Sequence, residues 1–170
     1  MKTYLLLLSM LSFIFSQGQS LKKYPISNSG CSLNSYCDLK YEIKKSEDSS
    51  LIYTGECNVA EVTYGVICVK LLTTLTELTL AEDLLIAYLD YLKSNFDIKK
   101  AAGYGKGPRL NNNENTRGII DYWEDADLNT WKIKAWTDGI YIGVLYAYSK
   151  KELPDTKVNV FLDSFRLPDK

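Results

Sequence analysis

"WKIKAWTDGIYIGVLYAYS", residues 131–149, holds two Trp and three Tyr around a single Asp-Gly dipeptide. Asp138-Gly139 is the two-residue signal of a type I′ hairpin, whose turn needs positive φ at both central positions. A turn there predicts the register. Thr137 stands opposite Ile140, Trp136 opposite Tyr141, Ala135 opposite Ile142, and so on to Trp131 opposite Tyr146. Side chains alternate along a strand, so the hairpin has two faces. One carries Trp131, Ile133, Ala135, Ile142, Val144 and Tyr146; it is wholly apolar or aromatic and belongs in a core. The other carries Lys132, Lys134, Trp136, Tyr141, Gly143 and Leu145 and is mixed. Lysine stems can cover rings while their ammonium heads stay wet. On a structural reading, Trp136 and Tyr141 form a cross-strand pair, worth roughly 0.2–1 kcal/mol, or lie under a helix or loop. On a functional reading they floor a groove flanked by Lys132 and Lys134, suited to a partner's apolar or anionic groups.

The flanking sequence extends the sheet. "RGIIDYWE" (117–124) reads as a strand, followed by the turn "DADLN" (125–129). After the hairpin, "KKELPD" turns the chain, and Val158, Phe161, Leu162 and Phe165 recur at helical spacing, with Asp155 as the expected N-cap. Upstream, "DLKYEIKKS" and "LIYTGEC" read as strands joined by "EDSS". In "EVTYGVICVKL", Val62, Tyr64, Val66 and Cys68 face one way, and Thr63, Gly65, Ile67 and Val69 the other. Both rows are fairly apolar, which predicts a central strand covered on both sides. A capping box, Thr79 to Glu82, opens a helix whose stripe is Leu84, Leu85, Tyr88, Leu89, Leu92 and Phe96. "AAGYGKGPRLNNNENT" (101–116) reads as a long flexible loop, and residues 20–36 as polar and turn-rich. The expected fold is α+β, with an antiparallel β-sheet sandwiched between helices in a single domain, 19–170.

Composition narrows the chemistry. The chain has 170 residues, 46 % of them apolar, a formal net charge of -1 and no histidine. Without a basic excess, nucleic acid is not an expected partner. Without imidazole, Ser-His-Asp and Cys-His nucleophilic systems are excluded. The first residues read as a secretory signal peptide, 1–18. Lys2 precedes the apolar run Tyr4 to Phe15, and Ser16 and Gly18 are small residues at the -3 and -1 positions. Export predicts a secreted or periplasmic product with no transmembrane segment in the mature chain. Cys31, Cys37, Cys57 and Cys68 are then candidate disulfide cysteines, with three pairings open. Cys31 and Cys37 flank a short polar segment that can close locally, and Cys68 can instead be a buried thiol.

Other patterns are weaker. Asp125, Asp127 and Asn129 have the spacing that begins a calcium loop, but Thr130 and Trp136 stand where such a loop needs Gly and an acid. "GYGKG" (103–107) lacks the strand before it and the helix after it that a phosphate cradle requires. Glu114, Asp121, Glu124 and Asp125 cluster in sequence, and a hydrolase built on Asp121 and Glu124 is the alternative function. No metal or cofactor is expected.

Residues 117–149 followed by "VNVFLDSFRL", with its Phe-x-x-Ser-Phe-like ending from Phe161 to Phe165, resemble the PsbP-like superfamily. The resemblance implies an antiparallel sheet between helices and a binding, assembly or accessory role, with no shared active site. The expectation is an exported, non-enzymatic protein that binds a protein or small ligand through the hairpin face and the 103–116 loop. A structural cell-envelope component is a further alternative.

Overall fold

A computed structural model describes residues 20–168, apart from Tyr104, Pro108 and the side chain of Lys106. The expected signal peptide, 1–18, lies outside the described residues. The first strands, β1 (Lys22–Pro25) and β2 (Ser32–Ser35), form a two-stranded antiparallel ribbon. Then follow β3 (Lys40–Lys45), β4 (Leu51–Val59), β5 (Val62–Lys70) and the helix α1 (Leu78–Asn95). After α1 come β6 (Ile98–Ala101), β7 (Gly105–Lys106), β8 (Arg117–Asp125), β9 (Thr130–Thr137), β10 (Tyr141–Ser149) and α2 (Asp155–Leu162). Strands β3 to β10 make one antiparallel sheet in the order β3-β4-β5-β10-β9-β8-β6, with β7 pairing β8 along the β6 edge. Two meanders therefore meet where β10 pairs β5.

That junction is central because both strands are apolar on both rows. Val62, Tyr64, Val66 and Cys68 join one core together with Trp136, Leu145, Ala147 and the α2-region residues Val158, Phe161, Leu162 and Phe165. Ile67 and Val69 join the other, with Trp131, Ile133, Ala135, Ile142, Val144, Tyr146 and the α1 residues Leu85, Leu89 and Leu92. We refer to these as the α2 core and the α1 core.

The hairpin differs from its predicted register. Thr137 pairs with Ile142, Trp136 with Gly143 and Lys134 with Leu145, so β10 is displaced by two residues and the Trp136–Tyr141 pair does not form. Gly139 takes φ +82°, but Asp138 stays outside the left-handed region that a type I′ turn requires. Its carboxylate instead accepts the amides of Ile140 (3.0 Å) and Tyr141 (2.8 Å), and the Gly139 amide donates to the Thr137 hydroxyl (3.1 Å). The Leu75 amide also donates to the Gly139 carbonyl at 2.8 Å. These bonds hold a wider loop. Because side-chain alternation has period two, a displacement of two keeps every inside and outside assignment.

Other expectations need correction. The helices start without side-chain caps: Glu77 precedes α1 and Pro154 precedes α2, so Thr79 and Asp155 are already helical. Leu84 is exposed, and Ala81 takes a place in the buried stripe. The 101–116 segment is not one long loop; it carries β7 and a 3-10 turn at Leu110–Asn112, with Leu110 buried. Residues 20–36 contain the β1–β2 ribbon. The disulfide joins Cys37 to Cys57, not Cys37 to Cys31, and Cys31 and Cys68 are free and buried. β2 lies between Cys31 and Cys37, and an extended run at ~3.3 Å per residue carries its ends well beyond the ~7 Å Cα limit of a disulfide.

Candidate functional site

The four residues expected to line a hairpin groove are covered. Trp136 lies parallel to Phe165, ring centroids 6.1 Å apart with 4° between planes. Gly143 admits that ring, since a Cβ there would stand 2.4 Å from it. The Tyr141 hydroxyl donates to the Ser29 carbonyl at 3.2 Å, below the ribbon. Lys132 pairs with Asp155 at 3.2 Å and Lys134 with Asp163, so the two lysines tie down both ends of α2. Trp136, Tyr141 and Lys134 are all less than 10 % exposed. α2 and Phe165 thus pack over most of that face, and Trp136 keeps an edge on a smaller cavity of about 220 Å³ that it lines with Arg109, Leu110, Asn111 and Asp163.

The carboxylates do not form a hydrolytic pair. Asp121 is buried and accepts the Trp123 indole N–H (2.6 Å), the Tyr122 amide (2.9 Å) and the Lys93 ammonium (3.2 Å). Glu124 lies three residues along β8, hence on the opposite row, and pairs with Lys100 at 2.6 Å. Glu114 pairs with Arg109 at 3.2 Å on the surface. Asp125 closes its turn by accepting the Asn129 amide (2.9 Å), the Asn129 side-chain N–H (2.7 Å) and the Trp131 indole N–H (2.8 Å). Its oxygens serve the turn rather than a calcium ion. Among the described residues, no group of three or more His, Cys, Asp or Glu side chains is placed to hold a metal.

A cleft opens instead beside α1. The helix packs on β6, β8 and β9 and leaves part of β3 to β5 uncovered. The resulting cavity is about 570 Å³, within the usual range for small-ligand sites. Tyr88, Tyr91, Leu92 and Phe96 form the helical wall; Ile52, Thr54, Glu56 and Ile67 come from β4 and β5; Tyr146 lies deep, and Lys40, Glu42 and Lys44 stand at the β3 rim.

The floor has a specific construction. Glu56, Gly65 and Tyr146 are paired in one row across β4, β5 and β10. A Cβ on Gly65 would come within 2.2 Å of the Tyr146 ring, so only glycine lets that ring lie across β5. The Tyr146 hydroxyl thereby reaches Glu56 and donates to its carboxylate at 2.7 Å. Burial and then the Glu56 charge push the Tyr146 phenol far above its ordinary value. Burial, with Tyr91 beside it, pushes Tyr88 up to about 12. Both are therefore protonated donors at neutral pH. Tyr88 and Tyr91 stack with centroids 6.0 Å apart, and Phe96 approaches Tyr146 at 5.5 Å. The cleft thus offers ring faces, a carboxylate acceptor on the floor (Glu56) and another at the rim (Glu42), and lysine donors.

A second, more polar cavity of about 800 Å³ lies between the ribbon, the 3-10 turn and the C-terminal residues, where Lys23, Asn111, Asn113 and Arg166 meet. It brings part of the 103–116 segment to a concave surface.

Sequence reasoning missed the α1 cleft. Its one signal was Gly65, a glycine inside an otherwise apolar strand, which marks a close approach by another group. Among the described residues no helix is long and apolar enough to cross a membrane. The chain matches no known family model and no curated protein.

Proposed function

We propose that the chain is an exported, non-enzymatic binding or accessory protein of PsbP-like sandwich architecture, and that its ligand site is the cleft beside α1. The architecture is supported by α1 and α2 packing into separate cores on alternate residues of the same strands. Export is supported by the secretory pattern of residues 1–18 together with the Cys37–Cys57 disulfide. The observation that carries the binding role is the Glu56–Tyr146 pair at the floor of an aromatic-walled cavity. Two lysines and two glutamates balance around it, which favours an uncharged ligand with an apolar face and hydroxyl or amide donors.

The test is ligand-observed NMR with a panel of uncharged aromatic and sugar compounds. A compound that binds the wild type should lose at least about tenfold affinity in Glu56→Gln, the scale of one charge-assisted hydrogen bond. Tyr88→Ala should weaken it as well. Binding that is equal in wild type and both variants, or no binding across the panel, rejects the cleft as the site.

A further inference from the structure

Cys31 and Cys68 lie far apart in sequence but meet in the α2 core. Cys31 immediately precedes β2, and Cys68 sits in β5 between Tyr53 of β4 and Gly143 of β10. Their residues are 1 % and 0 % exposed, both belong to the same buried cluster, and the Cys31 thiol is the group that bears most on the Cys68 thiol. The turn that carries Cys31 is set from both sides. The Ser29 hydroxyl accepts the Cys31 amide at 3.0 Å, and the Ile26 amide donates to the Cys31 carbonyl at 2.9 Å. At the other end of β2, Cys37 is already bonded to Cys57 of β4. The strand thus has a cysteine beyond each end, and each faces a cysteine of the main sheet.

We propose that Cys31–Cys68 is a second cross-link site, oxidised to a disulfide by thiol–disulfide exchange while the protein folds. The co-reactant is a dithiol–disulfide oxidoreductase or a small-molecule disulfide. A thiolate of the pair attacks the donor's S–S bond, forming a mixed disulfide and releasing one donor sulfur as thiolate. The second cysteine, as thiolate, then attacks the protein sulfur of that mixed disulfide. The Cys31–Cys68 bond forms, the second donor sulfur leaves, and the donor ends as dithiol with the two electrons and two protons. In the closed fold the neighbouring Cys31 thiol, and then burial, push the Cys68 thiol well above its ordinary value. Its thiolate is scarce there, so exchange runs before the ribbon closes over the sheet. Once made, the bond is shielded from reductant. With it, β2 is fastened to β4 at one end and to β5 at the other.

The proposal rests on the export reading only for the oxidant met in the cell, so the experiment supplies its own. The full chain is refolded from its reduced state in a glutathione redox buffer, denatured, and treated with N-ethylmaleimide. Intact mass should show no adduct, and peptide mapping should recover residues 31 and 68 in one disulfide-linked species. Cys31→Ser should then show one adduct, on Cys68. Two adducts on the wild type at Cys31 and Cys68, or either residue linked to Cys37 or Cys57, overturns the proposal. Because the decisive measurement is on the wild type, a variant that misfolds leaves the result intact. The ligand panel of the preceding section reads a different surface, so the two proposals fail separately.

Discussion

The α2 core and the α1 core are built on alternate residues of the same strands, yet one is closed and the other is not. Under α2, Phe165 fills the space above Gly143, two lysine–aspartate pairs hold the helix ends, and the ribbon and the disulfide cover the β4 side. Under α1, the helix reaches β8 and β9 but stops short of β3 and β4, and the gap is lined by rings instead of being filled by them. The glycines make the same point. Gly143 lacks a side chain so that Phe165 can pack; Gly65 lacks one so that Tyr146 can reach a carboxylate inside a cleft. A missing side chain serves burial in the first core and a polar site in the second.

If that contrast is right, the largest single effect lies in the α2 core. Phe165→Ala removes a fully buried ring from Gly143 and Trp136 and should cost about 3–5 kcal/mol in denaturant unfolding. A loss below about 1 kcal/mol would mean that the α2 core can collapse around the hole, and that it is less tightly closed than its burial implies. The counterpart is Gly65→Val. Its added methyls meet the Tyr146 ring, so Tyr146 must leave Glu56, at roughly 1–3 kcal/mol for overpacking. Its other consequence should be local: ligand binding in the α1 cleft disappears while Cys37–Cys57 and the α2 core stay intact. A crystal structure of Gly65→Val that keeps the Tyr146–Glu56 bond would contradict the role given to that glycine.

The same contrast explains what the sequence made legible. The alternation from Val62 to Val69 identified a central strand, and the hairpin's apolar face was read correctly even though its register was not. Parity is robust because a displacement of two preserves it, whereas register depends on the Leu75 contact from another part of the chain. The mixed face was ambiguous in itself. Lys132 and Lys134 look equally natural beside a solvent groove and beside the helix that in fact pairs with them. What covers that face comes from Phe165 and Asp163, distant in sequence. The cleft was less legible still. It arises from where α1 ends across the sheet, which no local pattern encodes, and only Gly65 hinted at it. The ribbon was missed because β1 and β2 are short and polar, without the apolar alternation that marks a strand.

Acid should reach the two cores differently, and this is the smallest of the expected effects. The polar ties of the α2 core, Lys132–Asp155 and Lys134–Asp163, use carboxylates exposed to solvent, and such pairs contribute about 0–1 kcal/mol. The polar ties of the α1 core are buried carboxylates bonded to indole N–H groups: Asp121 to Trp123 and Asp125 to Trp131. Burial pushes the Asp125 carboxyl up, but the hydrogen bonds from Asn129 and Trp131 outweigh it and hold the group below its ordinary 3.8. A carboxyl lowered in the folded state contributes stability that is present above that ordinary value and is lost as pH falls through the folded one. Asp125→Asn should therefore cost about 1 kcal/mol near neutral pH, and the gap to wild type should close in acid, below about pH 4. Asp155→Asn, in the α2 core, should show a much smaller gap at any pH. Urea unfolding of the three proteins from about pH 7 to pH 2 separates the cases. A gap for Asp125→Asn that stays constant to the lowest pH would show that its turn is held by shape rather than by charge, and would remove the electrostatic difference between the two cores.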